Sequence, residues 1–319
     1  MATARRLLSL ALLVVVSASP TPAKDPDPGI VIDAAIARAI RWLPSAEIDP
    51  FRRGADSFRA YMIEVEIWHR LTVFENNPTR RRNFEEETVR RLRKGLDARG
   101  LTGMLDGENG RMVLTEVAVF ARRCRDHGLD PEPVRGALAA HRSLLVSEVA
   151  HVPVSLRALY AAYLPAAGMA PPISLDACRA SGMLATRPRE VDLTLADVYY
   201  LTHEVFAYTD YGLRPLTGMT PAEEAYLLRV MPFYTSFYLT LGQVDIAAEL
   251  IICLHAAGMR DTYAYREGIR TIVEHQSADG SFGATAEGRP KDPGLTLHVT
   301  LNALSALLLD RSDRSDDDD

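Results

Sequence analysis

Apolar residues recur along most of the chain at the spacing of an α-helix. Ile32 is followed by Ile36, Ile40 and Leu43, at intervals of three or four residues. This spacing puts the apolar side chains on one face of a helix, where a core can cover them. Strand-like alternation bounded by turns is nearly absent. The pattern therefore predicts an all-α protein.

Twelve segments with this spacing are separated by short breaks rich in glycine, proline or asparagine. They cover about 32–43, 55–74, 84–98, 112–127, 131–146, 154–164, 173–181, 194–208, 221–241, 245–257, 261–275 and 295–309. Twelve helices with short loops predict six antiparallel hairpins that close into an α/α toroid over 31–310. An open helical-repeat superhelix is the alternative. A closed ring surrounds one cavity, where we expect the chemistry.

The ends of the chain differ from its helical middle. Residues 1–23 combine a basic pair, a ten-residue apolar run and small residues, which is the pattern of a cleaved signal peptide. A linker over 24–30 and an acidic disordered tail over 311–319 are expected at the two edges of the domain. We expect a secreted or periplasmic protein if the signal is used, and a cytoplasmic one otherwise. Because no apolar run is long enough to span a bilayer, we expect no stable membrane span.

Composition and charge restrict the class of protein and of partner. The chain is 47% hydrophobic and 24% charged, which suits a globular protein with a large core. Its formal net charge of -6 argues against a nucleic-acid partner. Three cysteines imply no disulfide framework. The expected partner is a small-molecule or peptide substrate, and the oligomeric state is left open.

Carboxylates and histidines recur at comparable points of the later hairpins. Asp245 and Glu249 are spaced i and i+4, so both carboxylates lie on one face of a helix. His298 opens the last helix, and His203 lies within an earlier apolar helix. Buried carboxylates need partners or a metal ion. These four residues are therefore the predicted ligands of a divalent metal ion, with zinc, iron and manganese as the candidates.

The segment Gln276–Gly283, which reads QSADGSFG, is similar to the Gln-x-x-x-Gly-x-aromatic hairpin repeat of terpene cyclases and of protein prenyltransferase β subunits. Its continuation through His298 resembles the helix with which prenyltransferase β subunits supply a zinc-binding histidine. The resemblance implies an α/α toroid and a ligand role for His298. In those enzymes an Asp and a Cys two residues later complete the site. Asp245 matches the Asp, but Ala247 stands in place of the Cys, so prenyl transfer is not expected.

A second polar stretch surrounds His203. Tyr199, His203 and Asp210 are spaced i, i+4 and i+11, so they share a face if the helix continues. On that condition His203 and Asp210 form a proton-transfer pair with a catalytic role. The stretch from Leu201 to Gly212 is similar to one in uncharacterised actinobacterial proteins, and this likeness implies no activity. The alternatives are a hydrogen-bonded core histidine and an aspartate that ends a helix.

These features predict a metal-dependent enzyme, a lyase, cyclase or oxidoreductase, that acts on a small apolar or peptide-like substrate in a central cavity. The toroid resemblance further implies a role in secondary-metabolite tailoring. One alternative is a metal-free module that binds a ligand or peptide. Another is a metal-free hydrolase or lyase in which Asp245, Glu249 and Asp279 act as paired carboxylates, which requires a separation of about 5 to 10 Å.

Overall fold

The computed structural model describes residues 28–43, 48–283 and 293–316. Its α-helices in the first half are α1 (Pro28–Trp42), α2 (Ala55–Phe74), α3 (Pro78–Gly95), α4 (Ala98–Leu105), α5 (Leu114–Asp126), α6 (Glu132–Ala140), α7 (Arg142–His151) and α8 (Val154–Tyr163). The second half contains α9 (Leu175–Ser181), α10 (Met183–Thr186), α11 (Leu195–Thr209), α12 (Pro221–Thr240), α13 (Val244–Ala256), α14 (Tyr263–Glu274) and α15 (Pro293–Asp316). Among the described residues, Gln276 and Phe282 form an isolated antiparallel β-bridge.

The described residues confirm the all-α prediction and add to the predicted helices. The helices α4 and α10 have only eight and four residues, which is too few for a repeating apolar pattern to identify a helix. The segment predicted as one helix over 131–146 is two, α6 and α7, because the backbone leaves helical geometry at His141. Asp97 separates α3 from α4, and its side chain accepts a hydrogen bond from the Arg99 amide as an N-cap.

The beginning of the chain is described only from Pro28 onward. The predicted signal peptide over 1–23 lies outside the described residues. Most of the predicted linker over 24–30 lies outside them as well. The first helix begins at Pro28 and so starts within that linker. Proline suits the first turn of a helix, where its missing N–H would have no partner.

The last helix is longer than predicted. It continues to Asp316, well into the segment 311–319 that was predicted as a disordered acidic tail. Arg314 donates to the Asp310 carboxylate one turn earlier at 2.8 Å, a pairing that favours continued helix. In the part of the chain that is described, no helix is both long and apolar enough to cross a membrane.

Six of the helices pack one against the next. The order is α2 on α5, α5 on α8, α8 on α11, α11 on α13, α13 on α15, and α15 back on α2. Other helices cover this series: α3 packs on α2, α6 on α5, α9 on α8, α12 and α14 on α13, and α1 on α15. Every residue of α13 except His255 is buried. The polar residues that α13 carries therefore need partners within the protein.

The turn over Gln276–Gly283 attaches the end of the domain to its beginning. The Gln276 side-chain amide donates to the Ala35 carbonyl at 2.8 Å and accepts a hydrogen bond from Arg38 Nε at 2.8 Å. Gly280 has a φ of 97°, and a Cβ added there would overlap the Arg38 carbonyl oxygen. Only glycine fits this conformation and this close approach. The turn that resembles a toroid repeat therefore holds α1 in place.

Candidate functional site

A cavity of about 390 Å³ opens between the six helices that pack in series. Each of these helices contributes to its wall. The polar and aromatic lining residues include Arg59, Glu66 and Arg70 of α2, Glu116 of α5, Tyr160 of α8, His203 and Phe206 of α11, Glu249 of α13, and His298 and Asn302 of α15. The volume is in the range of pockets that bind small molecules.

Three of the four predicted ligands converge on one another, and two of these, Glu249 and His298, line this cavity. Asp245, Glu249 and His298 each offer one ligand atom, and these atoms all lie within 4.8 Å of one another. His298 Nδ1 is 3.1 Å from Asp245 Oδ1, and its side chain remains 36% exposed. Glu249 is 2% exposed and lies one helical turn after Asp245. The imidazole therefore borders the cavity in front of two buried carboxylates.

Hydrogen bonds from two neighbouring helices fix both carboxylates. Thr202 Oγ1 donates to Glu249 Oε2 at 2.7 Å, and the Tyr199 hydroxyl donates to Asp245 Oδ2 at 3.3 Å. Asn302 Nδ2 donates to Asp245 Oδ1 at 2.9 Å and to Glu249 Oε1 at 3.3 Å. Because Asn302 follows His298 by one turn of α15, both side chains reach the cluster from the same helix face.

The three groups shift one another's protonation. Burial raises the pKa of Glu249 to about 8, and the charge of Asp245 adds to this rise. Burial alone would raise the pKa of Asp245, but the hydrogen bond and charge of His298 hold it below its usual value. Burial alone would lower the pKa of His298, but the bond and charge of Asp245 raise it to about 9. Without a bound cation, Asp245 is thus ionised at neutral pH, while His298 and Glu249 hold protons.

His203 lies beside this cluster and lines the same cavity. Its Nδ1 is 2.8 Å from the Tyr199 carbonyl oxygen and 3.9 Å from Glu249 Oε2. A carbonyl oxygen only accepts hydrogen bonds, so Nδ1 carries the proton and Nε2 is the acceptor. Burial lowers the pKa of His203, which keeps the imidazole neutral at pH 7. His203 therefore has the protonation state of a base or a metal ligand.

The structure places Asp210 in a different network. The helix α11 ends at Thr209, and Asp210 has a left-handed φ of 54°, so the face shared with His203 does not continue to it. The Asp210 carboxylate accepts a hydrogen bond from the Tyr163 hydroxyl at 3.0 Å and pairs with Arg123 Nη1 at 3.1 Å. His203 and Asp210 are thus not brought together as the predicted proton-transfer pair. Asp210 instead neutralises a fully buried guanidinium.

Asp279 is also placed away from the cluster. Its side chain is exposed in the turn after α14 and accepts hydrogen bonds from the Ser281 amide and hydroxyl at 3.1 and 2.8 Å. The predicted carboxylate set therefore reduces to Asp245 and Glu249. The ligand atoms of these two residues lie within 4.8 Å, slightly closer than the spacing expected of a glycan-cleaving pair.

Sequence patterns did not identify several residues of the site. Thr202 and Asn302 hold the carboxylates, and the pair Arg59–Glu116, 3.0 Å apart, lines the cavity. The Asn302 position carried a usable signal, since it follows His298 by four residues. Arg59 and Glu116 carried none, because only the packing of α2 on α5 brings them together.

Comparison with known proteins places the chain in a family. No curated protein and no solved structure matches it. The family described as "Domain of unknown function (DUF6895)" matches residues 68–298. The matched span includes His203, Asp245 and Glu249 and ends at His298, so it contains all four predicted ligands. Since this span is most of the chain, the protein belongs to the DUF6895 family.

Proposed function

We propose that this protein is an enzyme whose central cavity holds a divalent metal ion on Asp245, Glu249 and His298. The observation that carries the proposal is the convergence of two carboxylates and one imidazole, with ligand atoms within 4.8 Å, beside a cavity of about 390 Å³ that Glu249 and His298 line. We further propose that α2, α5, α8, α11, α13 and α15 are the inner helices of an α/α toroid. Their packing in series, with α15 on α2, supports this arrangement.

The donor set suits a divalent ion. Glu249 is 2% exposed, and the charge of Asp245 repels its ionised form. A cation between the two would neutralise both and remove this repulsion. Two oxygens and one imidazole nitrogen are ligands that zinc, iron and manganese accept. His203, outside the three-residue cluster, is the proposed fourth ligand or a base.

The residues of the cavity wall support a proposal for the reaction and the substrate. A bound divalent ion supplies Lewis-acid chemistry, either polarising a substrate oxygen or acidifying a water. His203 can take a proton at Nε2, because its Nδ1 is bonded to the Tyr199 carbonyl. Phe206, Ile252 and Leu301 make part of the wall apolar. We therefore propose a small, partly apolar or peptide-like substrate.

Metal analysis tests this proposal. Wild-type protein purified without chelators, or dialysed against Zn²⁺, Mn²⁺ or Fe²⁺, is expected to retain about one ion per chain, as a three-ligand protein site does. The variant His298→Ala is expected to lose it, because an imidazole ligand is removed. His151→Ala is the matched control, since His151 is an exposed histidine bonded to the Ser147 carbonyl. A wild-type protein that binds none of the three ions would refute the metal site.

One observation favours a second candidate, a metal-free acid–base enzyme. Each carboxylate oxygen of the cluster already accepts a hydrogen bond from Tyr199, Thr202 or Asn302. In such an enzyme His298 is the general acid and neutral His203 the base. The same metal analysis separates the two candidates, because this one requires no bound ion.

A further inference from the structure

The buried guanidinium of Arg70 forms part of the cavity wall, and two of its nitrogens have no hydrogen-bond partner among the described residues. Arg70 lies on α2, lines the cavity and is 4% exposed. Its Nη2 donates to the Tyr211 carbonyl oxygen at 2.7 Å. Its Nε and Nη1 are buried and have no hydrogen-bond partner among the described residues. A buried donor without a partner costs free energy, so these two nitrogens are expected to bind an acceptor.

The nearby carboxylates do not supply this acceptor. Glu66 binds Arg123 through both oxygens, at 2.6 and 3.1 Å, and Asp210 binds Arg123 at 3.1 Å. Glu116, across the cavity, pairs with Arg59 at 3.0 Å. The charges of Glu66 and Asp210 favour the ionised form of Arg70, against the effect of burial. Arg70 is therefore a charged group whose neighbouring acids are already paired.

An aromatic surface joins Arg70 to the carboxylate–histidine cluster. The ring centroids of His203 and Phe206 are 5.7 Å apart, and those of Phe206 and Tyr211 are 5.0 Å apart. Tyr211 in turn presents its carbonyl to Arg70. A substrate that lies along these rings would have one end at the cluster and the other at Arg70.

The turn that creates this surface is strained. Asp210 and Tyr211 have φ values of 54° and 56°, and both are non-glycine residues in the left-handed region. Gly212 follows with φ 83°, and a Cβ there would overlap the Ile252 side chain. Strained backbone persists only where the surroundings hold it, and it is common at ligand sites. Here it directs a carbonyl at Arg70 and a ring into the cavity wall.

We propose that Arg70 binds the anionic end group of the substrate, a carboxylate or a phosphate, while the apolar body of the substrate lies along Phe206 and Tyr211. The proposal rests on the proposed function in that the other end of the same molecule is held at the Asp245 cluster. A guanidinium stays charged at any physiological pH and donates to oxyanions in preference to neutral groups. An ordered water could satisfy the same donors, but it would give no preference for an anion.

Calorimetric titration with three matched probes tests this assignment. The probes are 4-phenylbutyrate, 3-phenylpropylphosphonate and the neutral 4-phenylbutanol. We expect at least one anion to bind wild-type protein about 10-fold or more tighter than the alcohol, as charge-assisted hydrogen bonds require. The preferred anion identifies the end group. Anions that bind no tighter than the alcohol, or that do not bind at all, would overturn the proposal.

Variants locate the anion site. Arg70→Gln is expected to weaken the preferred anion about 10- to 100-fold and leave the alcohol unchanged. Arg70→Lys keeps the charge, so its affinity for the anion is expected to lie between those of Arg70→Gln and wild type. This variant replaces Arg70→Gln in the test if Arg70→Gln does not fold. Arg111→Gln removes an exposed cation of the same cavity and should change the affinity less than about two-fold. Equal affinity in wild type and Arg70→Gln would refute the assignment.

The proposals for the metal site and for the anion site can be refuted separately. In a His298→Ala background, Arg70→Gln should still weaken the anion about 10-fold, since Arg70 does not contact the cluster. Loss of the Arg70 effect with intact metal binding overturns only the anion site. An Arg70 effect in a wild-type protein that binds none of the three ions overturns only the metal centre and leaves the anion assignment supported.

Discussion

Glu249 and His298 both hold protons at neutral pH in the absence of a cation. The pKa of Glu249 is raised to about 8 by burial and by Asp245, and that of His298 to about 9 by the bond and charge of Asp245 against the opposing effect of burial. A metal ligand must be deprotonated. Metal binding at pH 7 therefore has to release protons from both residues, whereas Asp245 is already ionised.

The metal affinity of the wild-type protein is accordingly predicted to rise with pH. Both protons are present below pH 8, so the affinity should rise by about 100-fold per pH unit near pH 7 and level off above pH 9. Titration calorimetry at pH 7 in buffers of different ionisation enthalpy should count about two released protons. Glu249→Gln binds more weakly and should release one proton fewer. An affinity that does not change between pH 6 and 9 would contradict the ligand set.

At the scale of residues, the sequence allowed the clustered carboxylates and histidine to be picked out as candidate ligands, but not their hydrogen-bond partners. Asp245 and Glu249 lie one turn apart on the apolar helix α13, so their shared face followed from spacing alone. Asp210 was grouped with His203 on the assumption that α11 continued. The helix ends at Thr209 because the next two residues turn left-handed, and such a change is not encoded by periodicity.

At the scale of elements, the turn Gln276–Gly283 has a structural role. Its sequence resembles a hairpin repeat that leads to His298, yet its Gln276 side chain bonds to α1. Its composition could not show this, because Ala35 and Arg38 lie far away in the chain. The short helices α4 and α10 were missed for a different reason: eight and four residues are too few for a repeating apolar pattern to identify a helix.

The variant Gly280→Ala is predicted to lower the free energy of unfolding by about 1–3 kcal/mol, because it combines a positive φ with an overlap against the Arg38 carbonyl. Urea unfolding followed by circular dichroism measures the loss. Gly136→Ala is the matched control, since Gly136 lies inside α6 and nothing lies within 4 Å of an added Cβ. The control should be neutral or gain up to about 1 kcal/mol from helix propensity. Equal effects in the two variants would show that the turn does not hold α1.

At the scale of the whole molecule, α15 packs on α2, a contact that the proposed ring requires. Arg311 Nη2 donates to the Phe74 carbonyl at 2.9 Å across this contact. No sequence pattern indicated this contact directly, because it joins segments more than two hundred residues apart and the repeats show no clean period. The number of helices is compatible with a closed ring, but whether the ring closes depends on packing between the two ends of the chain.

Hydrogen exchange tests closure of the ring. In a closed ring α2 and α15 are packed on both sides, so their amides should be protected as strongly as those of α8 and α11. In an open superhelix the terminal repeats fray first. Mass spectrometry of peptides from α2, α8, α11 and α15 after exchange measures the difference. Much faster exchange in both α2 and α15 would favour the open form.

The proposed enzyme binds a metal ion inside this arrangement of helices. The most direct measurement is anomalous diffraction from crystals of the protein loaded with Zn²⁺ or Mn²⁺. We expect one strong anomalous peak at the cavity, about 2.0–2.3 Å from a carboxylate oxygen of Asp245, one of Glu249 and a ring nitrogen of His298. A cavity without a peak, with Glu249 still bonded to Thr202 and Asn302, would contradict the account.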